Sequence, residues 1–184
     1  MEEVALALML RDGYEAVTVE AIADAVGIGR TTFFRYFGSK AGVIWSAFDD
    51  TIAWLDTSLQ VSDDDVEALD AVRLSIISST RSAIYESDVW LERFKLLDAN
   101  SALRADAYGH WEQWKYVIAA FIARRTQESA AAPVPMAIAG ACQGIFLAEL
   151  RNWQNSDENR EDLLARLDDH LEKVCTALQP LLPS

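Results

Sequence analysis

Two short helices joined by a glycine turn constrain the fold of this sequence more than any other feature. Thr18 is a typical N-cap residue, and the apolar residues that follow it as far as Val26 recur with the spacing of one helix face. Gly27 ends this helix after two turns, and a second short helix is predicted from Arg30 to Tyr36. Two such helices pack at a wide angle, which is typical of a helix-turn-helix and also of an ordinary αα-hairpin.

The rest of the chain also predicts helices, because strand-like alternation of polar and apolar residues is rare. We predict about nine helices and an all-α fold. The acidic run at residues 62–65 is interpreted as a helix start rather than a metal or interaction site, since acidic side chains favour the positive end of a helix dipole. The other predicted helices cover residues 1–12, 40–59, 64–86, 88–97, 101–125, 134–155 and 158–181.

The net charge of −13 argues against a nucleic-acid partner for the chain as a whole, but the charge is unevenly distributed. Residues 1–48 carry four basic and six acidic side chains, whereas the remaining 136 residues carry twelve and twenty-three. Residues 29–48 contain Arg30, Arg35 and Lys40 and no acidic side chain. A small basic patch on an acidic body is compatible with a DNA-binding protein.

The cysteine content indicates the compartment. Cys142 and Cys175 match no metal-ligand spacing and predict free thiols in a reducing cytosol, so we expect a cytoplasmic protein without a metal or cofactor. We expect no signal peptide, because the apolar start is short and uncharged. We also expect no membrane span, because prolines interrupt the uncharged stretch at residues 129–147.

The segment from Thr18 to Lys40 resembles the DNA-binding signature of the TetR/AcrR family of transcriptional regulators, including its Phe37-Gly38-Ser39-Lys40 ending. This resemblance implies a helix-turn-helix DNA-binding domain over residues 1–45 and a ligand-binding and dimerisation domain over residues 46–184. A weaker resemblance links the chain to actinobacterial members found beside mycofactocin genes. It rests on Gly27-Ile28-Gly29-Arg30, Phe34-Arg35-Tyr36-Phe37, Ser39-Lys40, Trp90 with Arg93-Phe94, and Trp111 with Trp114.

The family resemblance assigns base contacts to the start of the second, recognition helix. Arg30, Thr31 and Thr32 stand there, where an arginine can pair with guanine and a threonine methyl group can touch thymine. Arg35 and Tyr36 stand where the family contacts the DNA backbone or the groove wall. These five residues are therefore expected to specify and position the duplex.

The resemblance also assigns phosphate contacts to two helix starts. Lys40, beside a helix start capped by Ser39, and Thr18 are expected to bind phosphates. Phe34 stands where the family often has a tyrosine that donates its hydroxyl to a phosphate, so we expect that contact to be missing. Glu20 lies near the expected DNA face and is expected to repel phosphate.

In the family, the middle helices enclose a ligand cavity, and five of the six tryptophans here follow residue 50. Each aromatic residue alone is more typical of core packing, but as a group they predict a cavity for a largely apolar effector. An acyl chain, an acyl thioester or an aromatic compound fits this prediction, with Arg93, Arg104 or Lys115 as a cationic mouth and Arg93 or His110 as a polar anchor. The predicted lining is Trp54, Trp90, Arg93, Phe94, Tyr108, Trp111, Trp114, Cys142 and Phe146.

Small residues recur at spacings of three and four along the eighth predicted helix, and a leucine stripe follows on the ninth. Both faces could pack within one protomer. The family resemblance implies instead that the last two helices of two copies form a four-helix bundle, as a protein that binds a palindrome requires. The predicted homodimer interface is Ala137, Gly140, Ala141, Gly144, Ala148, Leu167 and Leu171.

These observations predict a repressor that an effector releases from a palindromic, double-stranded operator. An enzyme is not expected, because no nucleophile elbow, phosphate-binding glycine loop or metal cluster appears. The alternative is a ligand-binding helical protein that has lost DNA binding, which the net charge and Phe34 favour. The retained Arg30, Arg35, Tyr36 and Lys40 argue against that alternative.

Overall fold

The computed structural model describes residues 1–156 and 158–183, and these residues form helices with no strand among them. The prediction of an all-α fold is therefore confirmed. The helices are α1 Glu2–Asp12, α2 Val19–Val26, α3 Arg30–Phe37, α4 Gly42–Gln60, α5 Ala68–Glu86, α6 Arg93–Ala99, α7 Ser101–Thr126, α8 Pro133–Gln154 and α9 Arg160–Leu178, followed by a 3-10 turn at Gln179–Leu181.

The chain divides into two compact units. The first contains Met1–Asp50 and Ala83–His110, and the second contains Thr51–Ser82 and Trp111–Ser184. Three helices, α4, α5 and α7, therefore contribute residues to both units. The first unit thus includes Ala83–His110, a later stretch of the chain whose place in this unit the sequence did not predict.

A buried arginine connects three parts of the first unit. Arg93 is 0% exposed and donates hydrogen bonds to the carbonyl oxygens of Trp90 at 2.8 Å and Ile44 at 2.7 Å. Its Nη2 also donates to the carboxylate of Glu2 at 2.8 Å. Burial lowers the pKa of Arg93, and the negative charge of Glu2 opposes that shift. Paired in this way, the buried charge holds α1, α4 and the turn before α6 together.

Two predicted helix starts are wrong. Residues 62–67 precede the helix, and α5 begins at Ala68. The carboxylate of Asp63 accepts a hydrogen bond from the Asp65 backbone, and its carbonyl accepts one from Arg125 at 2.7 Å. These local bonds compete with the helix, as aspartate side chains commonly do. Similarly, residues 88–92 form turns, and α6 begins at Arg93.

In the second unit, α8 and α9 pack against each other around a buried carboxylate. Glu149 of α8 accepts a hydrogen bond from Arg166 Nε of α9 at 2.8 Å, and its other oxygen lies 2.9 Å from Nδ1 of His170. Within the described part of the chain, α8 is the one helix with the length and composition that a membrane span needs. The side of α8 that packs in the second unit buries Ile138, Cys142, Phe146 and Leu150, which explains part of that apolar composition.

Candidate nucleic-acid interface

The α2–turn–α3 segment is fixed at both helix ends by local hydrogen bonds. The Thr18 hydroxyl accepts a hydrogen bond from the Ala21 backbone at 3.1 Å, which caps the start of α2 as predicted. Gly27 ends α2 with a φ of +72°, and its N–H bonds back to the carbonyls of the last turn. An L side chain rarely adopts this φ, so the residue type at position 27 sets the turn between the helices.

One face of each helix is buried and holds the pair in place. Ile22 and Ala23 of α2 and Phe33 of α3 are all buried. The Phe33 ring also contacts the rings of Phe34 and Phe37, with centroids 5.5 Å and 5.2 Å away. Because its inner face is anchored, α3 presents the opposite face in a fixed orientation.

The outer face of α3 is exposed along its length. Thr31 and Arg35 are exposed, Phe34 is 38% exposed, and Tyr36 is more than half exposed. Thr32 is half-buried. The Arg35 guanidinium lies over the Tyr36 ring at 5.3 Å from its centroid, so the two side chains present one cationic and aromatic surface. Exposed side chains of this kind are suited to contact bases and phosphates.

Arg30 has an acidic partner that the sequence did not reveal. Its guanidinium forms an ion pair with Glu20 of α2 and lies 5.3 Å from the centroid of the Phe34 ring. Both members of the pair are exposed, so solvent weakens the attraction. In this structure the Arg30 guanidinium is therefore paired with a carboxylate on the exposed side of the two helices. Glu20 and Arg30 are ten residues apart on two different helices, so no helical spacing in the sequence indicates that they contact each other.

Lys40 makes structural contacts in addition to the phosphate contact predicted for it, which stays a prediction. Its Nζ donates hydrogen bonds to the backbone carbonyls of Tyr14 at 2.7 Å and Val17 at 3.0 Å. The same atom lies 4.2 Å from the centroid of the Tyr14 ring. Burial raises the pKa of the Tyr14 hydroxyl. With two of its three protons bound to backbone, the ammonium group fixes the α1–α2 loop and keeps one proton for a further acceptor.

The predicted pocket residues are distributed over both units. In the first unit, Trp90 and Phe94 lie 5.2 Å apart between ring centroids, and both contact the ring of Phe48. Arg93 uses its donors on backbone and on Glu2, so the prediction that it is a polar anchor or a cationic mouth for an effector is wrong. Tyr108 is 69% exposed and lines no core here.

A second aromatic cluster lies in the second unit. The rings of Trp114 and Phe146 stack at 5.3 Å, and Trp111 contacts Phe146 at 6.2 Å. Cys142 is buried one helical turn before Phe146. Trp54 is 43% exposed, so it does not share the burial of the other tryptophans named here.

His110 belongs to a polar cluster of the first unit that sequence reasoning missed. Its Nδ1 lies 2.6 Å from the carboxylate of Asp49, and its ring stacks on Trp45 at 4.3 Å. The Trp45 indole N–H donates to Asp106 at 3.1 Å. His110 therefore stabilises the packing of α4 and α7 through Trp45 rather than standing free as a polar anchor.

The predicted dimer residues separate into two groups. Ala137, Gly144 and Ala148 are exposed on α8, with Gly140 and Ala141 half-buried beside them. A Cβ atom placed at Gly140 or Gly144 would meet nothing within 4 Å. By contrast, the α9 residues Leu167 and Leu171 are at most 1% exposed in their own unit. Their prediction as interface residues is wrong, since the α8–α9 core already covers them.

Two family models match the chain. The model described as "Bacterial regulatory proteins, tetR family" matches residues 3–45, and the model described as "MftR C-terminal domain" matches residues 66–179. The second match covers more than half of the chain, and the two together confirm both resemblances drawn from the sequence. The chain is thus similar to DNA-binding regulators over its first helices and to one branch of them over the remainder.

Individual relatives agree with the family models. The protein of Mycobacterium tuberculosis that carries the name mycofactocin biosynthesis transcriptional regulator MftR is 29% identical over 153 residues, which cover 83% of this chain and 77% of that protein. The transcriptional repressor KstR of Rhodococcus jostii is 24% identical over 166 residues, covering 89% and 75%. The solved structure of a SmeT–triclosan complex is 15% identical, has a TM-score of 0.66, and covers 96% and 88% of the two chains. That structural likeness supports the fold.

Proposed function

Since this chain belongs to the TetR family of bacterial regulatory proteins, we propose that it is a homodimeric repressor of transcription that releases a palindromic operator when an apolar effector binds. The family membership makes it a transcriptional regulator and not an enzyme. We propose repression rather than activation of transcription because one relative, KstR, is named as a repressor. A cytoplasmic location is part of the same proposal, because operator DNA lies there.

One observation carries the DNA-binding part of the proposal. The outer face of α3 presents Thr31, Phe34, Arg35 and Tyr36 to solvent, while the inner face is anchored by Phe33. A short exposed helix held by a second helix at a tight turn matches the way a helix-turn-helix enters the major groove.

The operator is best found by selection from random duplexes. Full-length protein should enrich a palindrome whose half-sites lie about one helical turn, 34–36 Å, or a multiple of it apart. Arg81→Ala is the control, because Arg81 is also a solvent-accessible arginine, but it lies on α5 of the second unit. The control should enrich the same palindrome, whereas Arg35→Ala should recover it poorly. Failure of the unmodified protein to enrich any sequence overturns this part of the proposal.

The effector is proposed to be an acyl chain, an acyl thioester or an aromatic compound. Two aromatic clusters support this, the one around Phe48, Trp90 and Phe94 and the one around Trp114 and Phe146. A solved structure with the same fold is a complex of SmeT with triclosan. An effector acts as a switch only when it binds the two conformations with different affinities. We propose that α4, whose residues contribute to both units, transmits the change.

Tryptophan fluorescence tests the effector proposal directly. Fatty acids, acyl thioesters and aromatic compounds should be titrated into the protein, with release of the selected duplex measured on the same panel. Trp114→Phe should reduce the emission change if the effector binds at the second cluster, and Trp90→Phe should reduce it if the effector binds at the first. Trp54→Phe is the control, because Trp54 is largely exposed. If only a small polar metabolite changes both signals, the apolar-effector proposal is wrong.

A further inference from the structure

The two cysteines of the chain lie against each other in the second unit. Cys142 is on α8 and Cys175 is on α9, and both are buried, at 0% and 4% exposed. Glu149 of α8 contacts Arg166 and His170 of α9. In these two antiparallel helices the same register places Cys142, seven residues earlier on α8, opposite Cys175 on α9. Thirty-three positions separate them in the chain, so only the packing of α9 on α8 brings them together.

The two thiols differ in their chemical surroundings. Hydrogen bonding to Cys175 and burial raise the pKa of Cys142 well above that of a free thiol. The hydrogen bond from Cys142 lowers the pKa of Cys175, burial opposes that shift, and the positive charge of Arg73 lowers it further. Arg73 is on α5 and is held near α9 by an ion pair with Asp168 at 2.5 Å. Because a thiolate is the reactive form, Cys175 is the better nucleophile of the two.

The two thiols also differ in access. A groove of about 330 Å³ reaches Cys175 between the beginning of α5 and the end of α9. Cys142 is not among the residues that line it. The lining consists of Glu67, Leu69, Asp70, Cys175, Thr176 and Gln179. A small oxidant can therefore approach Cys175 from this groove, whereas Cys142 is fully buried and does not line it.

We propose that Cys175 and Cys142 form an oxidation-sensitive thiol pair, in which Cys175 reacts with a small peroxide and Cys142 resolves the product to a disulfide between α8 and α9. This modification site is additional to effector binding. In a disulfide the sulfur atoms stand about 2.05 Å apart, so the reaction requires the two opposed cysteines of α8 and α9 to approach each other.

The chemistry is balanced with hydrogen peroxide as the oxidant. The Cys175 thiolate attacks one peroxide oxygen, an S–O bond forms, the O–O bond breaks, and hydroxide leaves. The sulfur of Cys142 then attacks the Cys175 sulfenic acid, an S–S bond forms, the S–O bond breaks, and the oxygen leaves as water with the Cys142 proton. Two thiols lose two electrons in total, and one peroxide is reduced to two waters.

Peptide mapping of the oxidised protein is the primary test. Full-length protein treated with dilute hydrogen peroxide should lose two hydrogen atoms in mass and both titratable thiols, and digestion should join the peptides that contain Cys142 and Cys175. In Cys142→Ala, a sulfenic acid on Cys175 should be trapped by dimedone. In Cys175→Ala, Cys142 should remain reduced. Retention of both thiols in the unmodified protein, or oxidation of Cys142 in Cys175→Ala at an unchanged rate, would overturn the proposal.

The role of Arg73 supplies a second readout that needs no cysteine substitution. Alkylation of Cys175 by iodoacetamide, followed against pH, should move to higher pH and slow several-fold in Arg73→Gln. Arg81→Gln is the matched control, because Arg81 also joins α5 to α9 through an acidic partner, Glu161, and does not act on Cys175. The control should leave the alkylation profile unchanged. Equal changes in both variants would show that α5–α9 packing, and not the charge of Arg73, sets the reactivity, and would contradict this assignment.

Discussion

The outer face of α3 and the α8–α9 pair use their polar side chains in opposite ways. On α3, Arg30 is held at the surface by Glu20, and Arg35 lies against an exposed tyrosine. Between α8 and α9, Glu149 is buried and bonded by Arg166 and His170, and the exposed residues in the middle of α8 are Ala137, Gly144 and Ala148. The first surface leaves its cationic side chains exposed to solvent, whereas the second uses its donors within the protomer and leaves small apolar residues exposed on α8. A polyanion fits the first surface, and a second protein helix fits the other.

The largest expected effect on stability comes from Glu149. Glu149→Ala leaves Arg166 and His170 without their buried acceptor, and breaking a buried charge pair costs about 3 kcal/mol. Denaturant unfolding should show this loss. Arg81→Gln removes an exposed ion pair and should cost about 0.5 kcal/mol or less. Similar losses in the two variants would show that the buried carboxylate does not hold α8 on α9.

Substitutions of Lys40 and Arg35 should have different effects, because Lys40 makes structural contacts and Arg35 is proposed to bind DNA. Lys40→Ala removes two hydrogen bonds to backbone carbonyls and should destabilise the protein by about 2 kcal/mol. If Lys40 also binds phosphate, the molecules that remain folded should show a reduced salt dependence of DNA binding. Arg35→Ala should leave stability unchanged and reduce the slope of log affinity against log salt by about 1. Unchanged stability in Lys40→Ala, or an unchanged slope in Arg35→Ala, would contradict these assignments.

The exposed face of α8 can be tested with a bulky residue. Gly144→Leu meets open space in the protomer, so it should fold normally, but it should overpack a helix–helix interface between two copies by about 1.5 kcal/mol. Sedimentation should then show a shift toward monomer. Gly109→Leu is the matched control, since Gly109 is a glycine within α7 that is equally open. A dimer of unchanged strength in Gly144→Leu places the interface elsewhere.

Phe34 should give the smallest effect. It is 38% exposed on the outer face of α3, so Phe34→Tyr adds a hydroxyl that can reach a phosphate without disturbing the core. We expect DNA binding to tighten by about 1 kcal/mol or less, measured by fluorescence anisotropy, with no change in unfolding. A clear drop in thermal stability would show that the para position of the ring is crowded.

Local patterns allowed much of α1 to α4 to be predicted, because the information lies within a few residues. Thr18 caps α2, Gly27 ends it, and the Ser39 hydroxyl accepts from the Gly42 backbone at the next helix start, at 2.9 Å. The family signature covers the same short stretch. Such contacts between near neighbours recur in many chains with the same spacing, so sequence alone indicates them.

Contacts between distant residues were not predictable in this way. The buried bond from Arg93 to Glu2 joins positions 91 residues apart, and the pairing of Glu20 with Arg30 crosses a turn. Arg93 lies between Trp90 and Phe94 in the sequence, and this pattern is the same whether the arginine faces a ligand or a backbone carbonyl. The leucines of α9 likewise have one periodicity whether they meet α8 or a second copy, and only their burial against α8 separates the two.

The central claim is that the exposed start of α3 recognises specific bases, and Arg30→Ala tests it most directly. Affinity should be measured for the selected palindrome and for a random duplex at the same salt concentration, with Arg81→Ala as the control. The account predicts that Arg30→Ala weakens binding to the palindrome by about 1–3 kcal/mol and relaxes selection at one base pair of each half-site, with a much smaller loss on the random duplex. Equal losses on both duplexes, or no loss on either, would contradict base recognition by Arg30.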